Sequence, residues 1–221
     1  MISVVTGTLN RLELLKKVIS NTVDSDKRIE LVIIDGGSTD KTVEYIKTLN
    51  HPQIKLIDFG KRSYYWDFMN LGIKESTHDF ICQWNDDVVL ENSWSEVIEQ
   101  IDNEHDFYIF SWKENSGQNY ILHESETELV LNYGLYRKKI FKEIGLYNNS
   151  YKYYYCDGDM SYRAKSFGYN YKKLDNIKCE VLTYHGQKNA FLENSSDELD
   201  NYLKHLELYR NQKLPENIEL L

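Results

Sequence analysis

The order of apolar and polar residues predicts strands and helices that alternate along the first half of the chain. Short apolar runs rich in β-branched residues predict five strands, over 2–6, 30–35, 54–59, 79–84 and 107–112. Between them, apolar residues recur every three or four positions and predict helices; the apolar face of the first is formed by Leu12, Leu15, Val18 and Ile19. This alternation predicts βαβ units and a largely parallel, doubly wound sheet.

Polar residues predict how these helices begin. Asn10 precedes the first helix and Glu13 follows it by three positions, which is the spacing of a capping box. Ser38 and Thr39 precede the second helix, so we expect one of them to be its N-cap.

The second half of the chain has a less regular pattern. It predicts a strand over 128–137, a helix over 138–145, a helix that ends at Gly168, and a strand over 177–186. A last amphipathic helix is predicted over 197–212, with an apolar face of Leu199, Leu203, Leu206 and Tyr209. Because no repeat, Pro-rich linker or low-complexity block interrupts the pattern, we expect one domain.

Composition narrows the class of protein. The 221 residues are 41% hydrophobic and 28% charged, which suits one folded core, and the net charge of −9 argues against nucleic acid as the partner. No apolar run is long enough for a membrane span, and the first residues lack the basic start of a signal peptide. Three scattered cysteines fit a reducing compartment, so we expect a cytoplasmic protein, peripheral to a membrane only if its substrate is lipid-linked.

Acidic residues follow two of the predicted strands. Asp35 ends one strand, and the adjacent pair Asp86 and Asp87 follows another. Carboxyl ends of parallel strands meet at one edge of a sheet, where ligands bind, so we expect these three side chains to lie close together. The acid pair alone fits two interpretations, a solvated turn or a divalent cation that holds a phosphorylated ligand.

Three further patterns are weak signals individually. The glycine-rich segment 34–42 lacks a P-loop lysine and the GxGxxG spacing, and it fits a helix-capping turn as well as a ligand-binding loop. Asp157 and Asp159 fit the start of a helix, where acids are favourable. His185, after a predicted strand, fits an ordinary half-buried histidine.

Taken in order, these segments resemble a family 2 glycosyltransferase of the GT-A fold. The resemblance rests on TGTLNR, VIIDGGSTDKT, YYWDFMNLGI, FICQWNDDVVL, the run from YRKKIFKEIG to CDGDMSYRAKSFGY, and TYHG, and it covers about residues 1–186. It implies a single α/β domain with helices on both faces of the sheet and a small antiparallel portion in its second half. The implied catalytic domain is 1–190, with a nucleotide-sugar half over 1–112, an acceptor half over 113–190, and a helical extension over 191–221.

The resemblance implies a metal-dependent, inverting transfer of a sugar from a nucleotide-diphosphate sugar to a hydroxyl of a glycan or glycoconjugate, with Mn²⁺ or Mg²⁺. Asp157 corresponds to the catalytic base, and Asp87 and His185 to metal ligands. The positions that match donor contacts are Thr6, Gly7, Thr8, Arg11, Asp35, Gly37, Asp67, Asn70, Asn85 and Asp86. Those that match the acceptor side are Tyr155, Cys156 and Asp159.

Two departures from the family pattern matter. Asn85 stands where the family has the first acid of its metal motif, and Cys156 stands where it usually has a glutamate before the base. The missing like charge is expected to leave the pKa of Asp157 less raised. Cys156 is also the feature that favours a non-catalytic sugar- or nucleotide-binding module; a nucleotidyltransferase is disfavoured, because DGGSTD offers no basic residue to a triphosphate.

Overall fold

An eight-stranded sheet organises the fold in this computed structural model, which describes residues 1–114, 123–124, 129–152, 154–183 and 195–221. The strands are β1 (Ile2–Thr8), β2 (Ile29–Asp35), β3 (Ile54–Asp58), β4 (Phe80–Gln83), β5 (Val88–Leu90), β6 (Phe107–Glu114), β7 (His123–Glu124), β8 (Leu129–Val130), β9 (Gly134–Arg137) and β10 (Tyr171–Val181). Their order in the sheet is β3-β2-β1-β4-β9-β6-β10-β5, and β7 pairs with β8 in a separate ribbon.

Helices cover both faces of this sheet, as the sequence predicted. They are α1 (Leu12–Thr22), α2 (Thr42–Leu49), α3 (Tyr65–Glu75), α4 (Trp94–Glu99), α5 (Lys138–Glu143), α6 (Cys156–Ser166) and α7 (Ser195–Arg210). Side chains alternate between the faces of a strand, so Val4 packs in the core under α1, α2 and α4 while Val5 packs in the core under α3, α5, α6 and α7. The expected doubly wound α/β architecture is therefore confirmed.

The sheet is mostly parallel, with β9 and β5 antiparallel to their neighbours. Strand β5 was not predicted, and it has an unusual connection. Residues 84–87 link β4 to β5. In a flat sheet these two strands would lie four spacings of about 4.8 Å apart, which is farther than a four-residue link that also reverses direction can reach. The sheet must therefore curl, and Asn21 of α1 indeed hydrogen-bonds both the N–H and the carbonyl of Leu90 in β5.

The predicted helix caps are wrong. Asn10 has a left-handed backbone (φ 54°), and its Oδ1 accepts a hydrogen bond from the N–H of Thr39. Asp40 takes the capping role for two helices, because its carboxylate accepts the N–H of Leu12 at 3.1 Å and that of Thr42 at 3.2 Å. The loops after β1 and β2 lie side by side at the carboxyl edge, so one loop caps the helix of the other.

The last helix, α7, buries only half of the apolar face that the sequence predicted. Leu199 is 40% exposed and Leu203 is 55% exposed, whereas Tyr202, Leu206 and Tyr209 are buried. These buried residues pack in the core that α6 shares. The C-terminal segment is thus packed on the domain by Tyr202 together with two residues of the predicted face, Leu206 and Tyr209.

Two features considered in the sequence concern the cysteines and the possibility of a membrane span. The three cysteines are all free and buried. Within the part of the chain that the structure describes, we find no helix with the length and apolar character needed to cross a bilayer.

Candidate active site

A cavity of about 590 Å³ opens at the carboxyl edge of the parallel strands β1 and β4. This is the edge where doubly wound sheets bind ligands. Six residues predicted to contact a donor or a metal line it, namely Gly7, Thr8, Arg11, Asn85, Asp86 and Asp87. Other lining residues were not predicted from the sequence, and they include Arg62, Tyr65, Phe68 and Thr183.

The acid pair forms the charged wall of this cavity. Asp86 and Asp87 are only 4% and 5% exposed. The guanidinium of Arg11 spans them, with Nη1 2.8 Å from Asp86 Oδ1 and Nη2 2.8 Å from Asp87 Oδ2. The hydroxyl of Thr8 donates to Asp86 Oδ2 at 2.8 Å, and that of Thr183 donates to Asp87 Oδ2 at 2.5 Å. The pair is therefore a compensated ionic cluster and not a solvated turn.

Burial sets the electrostatics of the cluster. It raises the pKa of Asp86 to about 6, although the charge of Arg11 and the hydrogen bond from Thr8 act in the opposite direction. An ionised Asp86 is thus costly in this place unless a cation is close, which explains why a guanidinium lies there.

The predicted base, Asp157, lies in the first turn of α6. Its Oδ1 accepts the N–H of Gly158 at 2.9 Å, and its Oδ2 accepts Nδ2 of Asn132 at 2.9 Å. The next residue, Tyr133, accepts a hydrogen bond of 3.4 Å from Nδ2 of Asn85 through its hydroxyl. Two consecutive residues, Asn132 and Tyr133, therefore connect Asp157 to the loop that carries the acid pair.

Neither Asn132 nor Tyr133 was identified from the sequence. Both come directly after the apolar run ELVL, which ends at Leu131. A polar pair directly after a predicted strand is the signal that could have identified them. Residues that follow a strand lie at the edge of the sheet where ligands bind, which is the argument that applied to Asp86 and Asp87.

The C-terminal helix holds the segment in front of the base. Glu198 of α7, 5% exposed, accepts the backbone N–H of Lys152 at 2.8 Å and that of Tyr154 at 2.9 Å. Tyr155 then adopts a left-handed backbone (φ 65°) as the N-cap of α6, and its ring stacks on Tyr202 with centroids 5.0 Å apart. The start of α6, and with it Asp157, is positioned by a helix to which the sequence assigned no role in the site.

Asp159 requires a correction. It was expected on the acceptor side, but it is 0% exposed, and its Oδ1 accepts the hydroxyls of Tyr151 at 2.9 Å and Tyr209 at 2.7 Å. Because Asp159 follows Asp157 by two positions on a helix, the two side chains lie on different faces, and that of Asp159 points into the core shared with α7. Cys156 is also buried, and burial raises the pKa of its thiol. An acceptor contact does not fit the position of either side chain in this structure.

Five expected donor residues do not line the cavity. They are Thr6, Asp35, Gly37, Asp67 and Asn70. The carboxylate of Asp35 turns back to accept the N–H groups of Gly37 and Ser38, both at 2.8 Å, and Asn70 exchanges two hydrogen bonds of 2.9 Å with the backbone of Tyr147. These side chains shape the loops around the cavity. His185 lies outside the described residues.

Gly37 illustrates how tightly that loop is built. Its φ is +87°, and a Cβ atom there would lie 2.9 Å from the carbonyl oxygen of Gly60. Any other residue would be strained by both the backbone conformation and the close approach. The glycine-rich segment is therefore a structural turn beside the cavity.

The acid pair has the ligand chemistry that a hard divalent cation needs, since carboxylate oxygens are the ligands that Mg²⁺ and Mn²⁺ prefer. Among the described residues, no cluster of three or more His, Cys, Asp or Glu side chains could hold a metal. Mg²⁺ commonly binds through one or two carboxylates and completes its coordination with water and substrate phosphates. The site therefore fits a cation shared with a phosphorylated ligand better than one held by protein alone.

Solved structures with a similar fold support this assignment of the architecture. S. aureus TarS 1-349 in complex with UDP-GlcNAc superposes with a TM-score of 0.75 at 15% identity, over 98% of this chain and 68% of that one. The mannosyltransferase PcManGT from Pyrobaculum calidifontis, in complex with GDP-Man and Mn²⁺, gives 0.66 at 13% identity, over 84% of this chain and 58% of that one. The chain spans 40% of the longer S. aureus TarS structure.

A search of curated proteins finds no match to this sequence. The family model described as Glycosyl transferase family 2, however, matches residues 3–198, which include the acid pair, Asn132, Tyr133 and Asp157. On that match over most of its length, the chain belongs to glycosyl transferase family 2.

Proposed function

We propose that this protein transfers a sugar from a nucleotide-diphosphate sugar to a hydroxyl group of a glycan or glycoconjugate, with inversion at the anomeric carbon. The observation that carries the proposal is that two consecutive residues hydrogen-bond both Asp157 and the loop of the acid pair. Asn132 holds Asp157, and Tyr133 holds the loop of Asp86 and Asp87. Asp157 is not among the residues that line the cavity, but these hydrogen bonds link it to the loop that carries the acid pair.

The donor would occupy the cavity at the carboxyl edge. Arg11 and Arg62 place cationic side chains at its wall, and the acid pair lies between the ends of β1 and β4. A Mn²⁺ or Mg²⁺ ion bound with the donor would supply positive charge to the departing diphosphate. The neighbours that bind UDP-GlcNAc or GDP-Man support this class of donor, while the base and the sugar stay open for this chain.

Asp157 would accept the proton of the acceptor hydroxyl. Asn132 and Gly158 each donate one hydrogen bond to this carboxylate and fix its direction. One base and a single displacement invert the anomeric centre, and NMR of the first product tests this directly. A product with retained configuration would contradict the proposal.

The donor site is tested by thermal unfolding with UDP, GDP, dTDP and CMP, each with and without Mn²⁺. A ligand at 100 times its dissociation constant stabilises a fold by about 2.7 kcal/mol, which gives a readily measured shift. We expect a metal-dependent shift with one diphosphate and its loss in Asp87→Ala. The exposed Asp175→Ala is the matched control and should keep the shift. No shift with any nucleotide, in folded protein, would contradict the donor site.

The base is tested with Asp157→Asn once a donor is known. Turnover should fall by about 10²–10⁴-fold, which is the usual contribution of a positioned base, while the nucleotide-induced shift stays unchanged. Undiminished turnover in Asp157→Asn would remove Asp157 from this role. A nucleotide shift without turnover with any donor in the wild type would instead favour a non-catalytic binding module.

A further inference from the structure

Arg11 lies where its own helix does not favour a cation. It is the N-cap residue of α1 and makes no side-chain capping bond. The N-terminus of a helix carries partial positive charge, so a guanidinium gains nothing from the helix at this point. The position of the guanidinium is explained by its contacts with the carboxylates of Asp86 and Asp87.

The contacts of Arg11 occupy one oxygen of each carboxylate in the acid pair. Its two terminal nitrogens each lie 2.8 Å from one carboxylate, and Asp87 Oδ2 already accepts the hydroxyl of Thr183. A cation at Asp87 Oδ2 would meet the guanidinium at contact distance, and like charges at that distance repel strongly in a half-buried site. Arg11 and a divalent cation therefore cannot share this oxygen.

The side chain of Arg11 has room to leave. It is 36% exposed and lines the open cavity, whereas its backbone stays fixed because its carbonyl oxygen accepts the N–H groups of Leu14 and Leu15. A guanidinium binds the oxygens of a diphosphate with the same bidentate geometry that it uses for carboxylates. A diphosphate in the cavity thus offers Arg11 a second partner.

We propose that Arg11 is the resident counter-ion of the acid pair and excludes a bare divalent cation, so that the metal enters only together with a diphosphate that takes over the guanidinium. This inference rests on the proposed donor site and adds an order of binding to it. Arg11 compensates the two carboxylates in the empty protein, and it binds phosphate oxygens when the cation replaces it.

The test is a titration with Mn²⁺ alone, followed by electron paramagnetic resonance of the free ion. We expect weak binding to the wild type and binding tighter by about tenfold or more in Arg11→Met, because one competing set of charge-assisted hydrogen bonds is gone. Arg28→Met removes the same charge from the surface pair with Asp26 and should behave as the wild type. In Arg11→Met combined with Asp87→Asn, the gain should disappear.

Addition of UDP or GDP supplies the second half of the test. In the wild type, one of them should tighten Mn²⁺ binding strongly, and in Arg11→Met this enhancement should shrink. Equal Mn²⁺ affinity of wild type and Arg11→Met would overturn the proposal. If the gain in Arg11→Met is seen but neither diphosphate has an effect on either protein, the counter-ion role stands and the proposed donor site fails.

Loss of Arg11 leaves two buried carboxylates uncompensated, so Arg11→Met is also compared for its yield of folded protein with Mn²⁺ and with EDTA. Folding that Mn²⁺ restores supports the proposal. If the variant folds in neither condition, Arg11→Lys replaces it, since an ammonium is a point charge that does not span both carboxylates. An intermediate Mn²⁺ affinity is then expected, and an affinity equal to that of the wild type overturns the proposal.

Discussion

Arg11 and Arg163 each lie against aspartates, one at the cavity and the other in the interior, and the two clusters are built differently. Arg11 is partly exposed, and both of its contacts with Asp86 and Asp87 are 2.8 Å. Arg163 and Asp159 are both 0% exposed, and their closest charged atoms lie 3.8 Å apart. Nε and Nη1 of Arg163 and Oδ2 of Asp159 find no hydrogen-bond partner among the described residues.

The difference shows what each cluster does. The cavity cluster has good hydrogen bonds and access to solvent, so its cation can be exchanged for another at modest cost. In the interior cluster the two charged groups lie too far apart to hydrogen-bond each other and have no access to solvent, and Asp159 is held instead by the hydroxyls of Tyr151 and Tyr209. Breaking such a buried pair is expensive because the remaining charge has no water to solvate it. One cluster is therefore suited to ligand exchange, and the other holds α6 against α7.

The largest expected effect comes from Arg163→Met. This change leaves Asp159 as an uncompensated charge in the core, and we expect a loss of about 3–5 kcal/mol in the free energy of unfolding, measured with denaturant. The double variant Arg163→Met with Asp159→Asn should lose less than the single one, since the amide oxygen still accepts the two tyrosine hydroxyls. A single variant as stable as the wild type would mean that the interior pair is no more costly to break than the cavity pair.

A smaller effect is expected from Glu198→Ala, which removes the carboxylate that α7 provides to the loop before the base. Two hydrogen bonds from backbone N–H groups are lost, but Lys152 and Tyr154 are exposed and water can replace the carboxylate, so we expect a total loss of about 1–2 kcal/mol in the free energy of unfolding. Turnover should fall while the nucleotide-dependent shift in melting temperature stays, because the cavity is on the other side of the site. Asp200→Ala, an exposed acid on the same helix, is the control, and equal effects of the two variants would remove Glu198 from this positioning role.

The smallest effect is expected from Thr183→Val. This change removes the hydroxyl that donates a hydrogen bond to Asp87 and keeps the shape of the Thr183 side chain. We expect a loss of about 0.5–1.5 kcal/mol in the free energy of unfolding, since Arg11 and solvent still satisfy the carboxylate. Thr8→Val is the matched change at Asp86. A loss as large as that of Arg163→Met would show that the cavity cluster is as rigid as the interior one, and the distinction would fail.

The parts that the sequence predicted well depend on short-range pattern and on topology. Parallel strands must bring their carboxyl ends together, so Asp35, Asp86 and Asp87 could be placed at one edge from the sequence alone. What was missed depends on contacts between distant segments. Asp40 caps Leu12 across 28 positions of sequence, and Asn132 reaches Asp157 across 25. No local pattern encodes such partners.

The C-terminal helix shows why periodicity alone did not choose the inward face. The predicted stripe of Leu199, Leu203, Leu206 and Tyr209 follows helical spacing, and so does the neighbouring stripe of Glu198, Tyr202, His205 and Tyr209. The buried residues come from both stripes, namely Glu198, Tyr202, Leu206 and Tyr209. The backbone before α6 and the carboxylate of Asp159 provide hydrogen-bond partners for Glu198 and Tyr209, and periodicity alone does not show where such partners lie.

The insertion of β9 between β4 and β6 has a consequence for how the molecule folds. Strands β1 to β4 come from the first 83 residues and can pair with one another before the rest of the chain is made, whereas the edge of β4 waits for Gly134 to pair with Gln83. We expect the boundary between β4 and β9 to form only after the first four strands can pair, because β9 comes from residues 134–137. The acid pair and all other residues that line the cavity, except Thr183, precede β9 in the chain, so most of the cavity wall is made before the sheet can be completed.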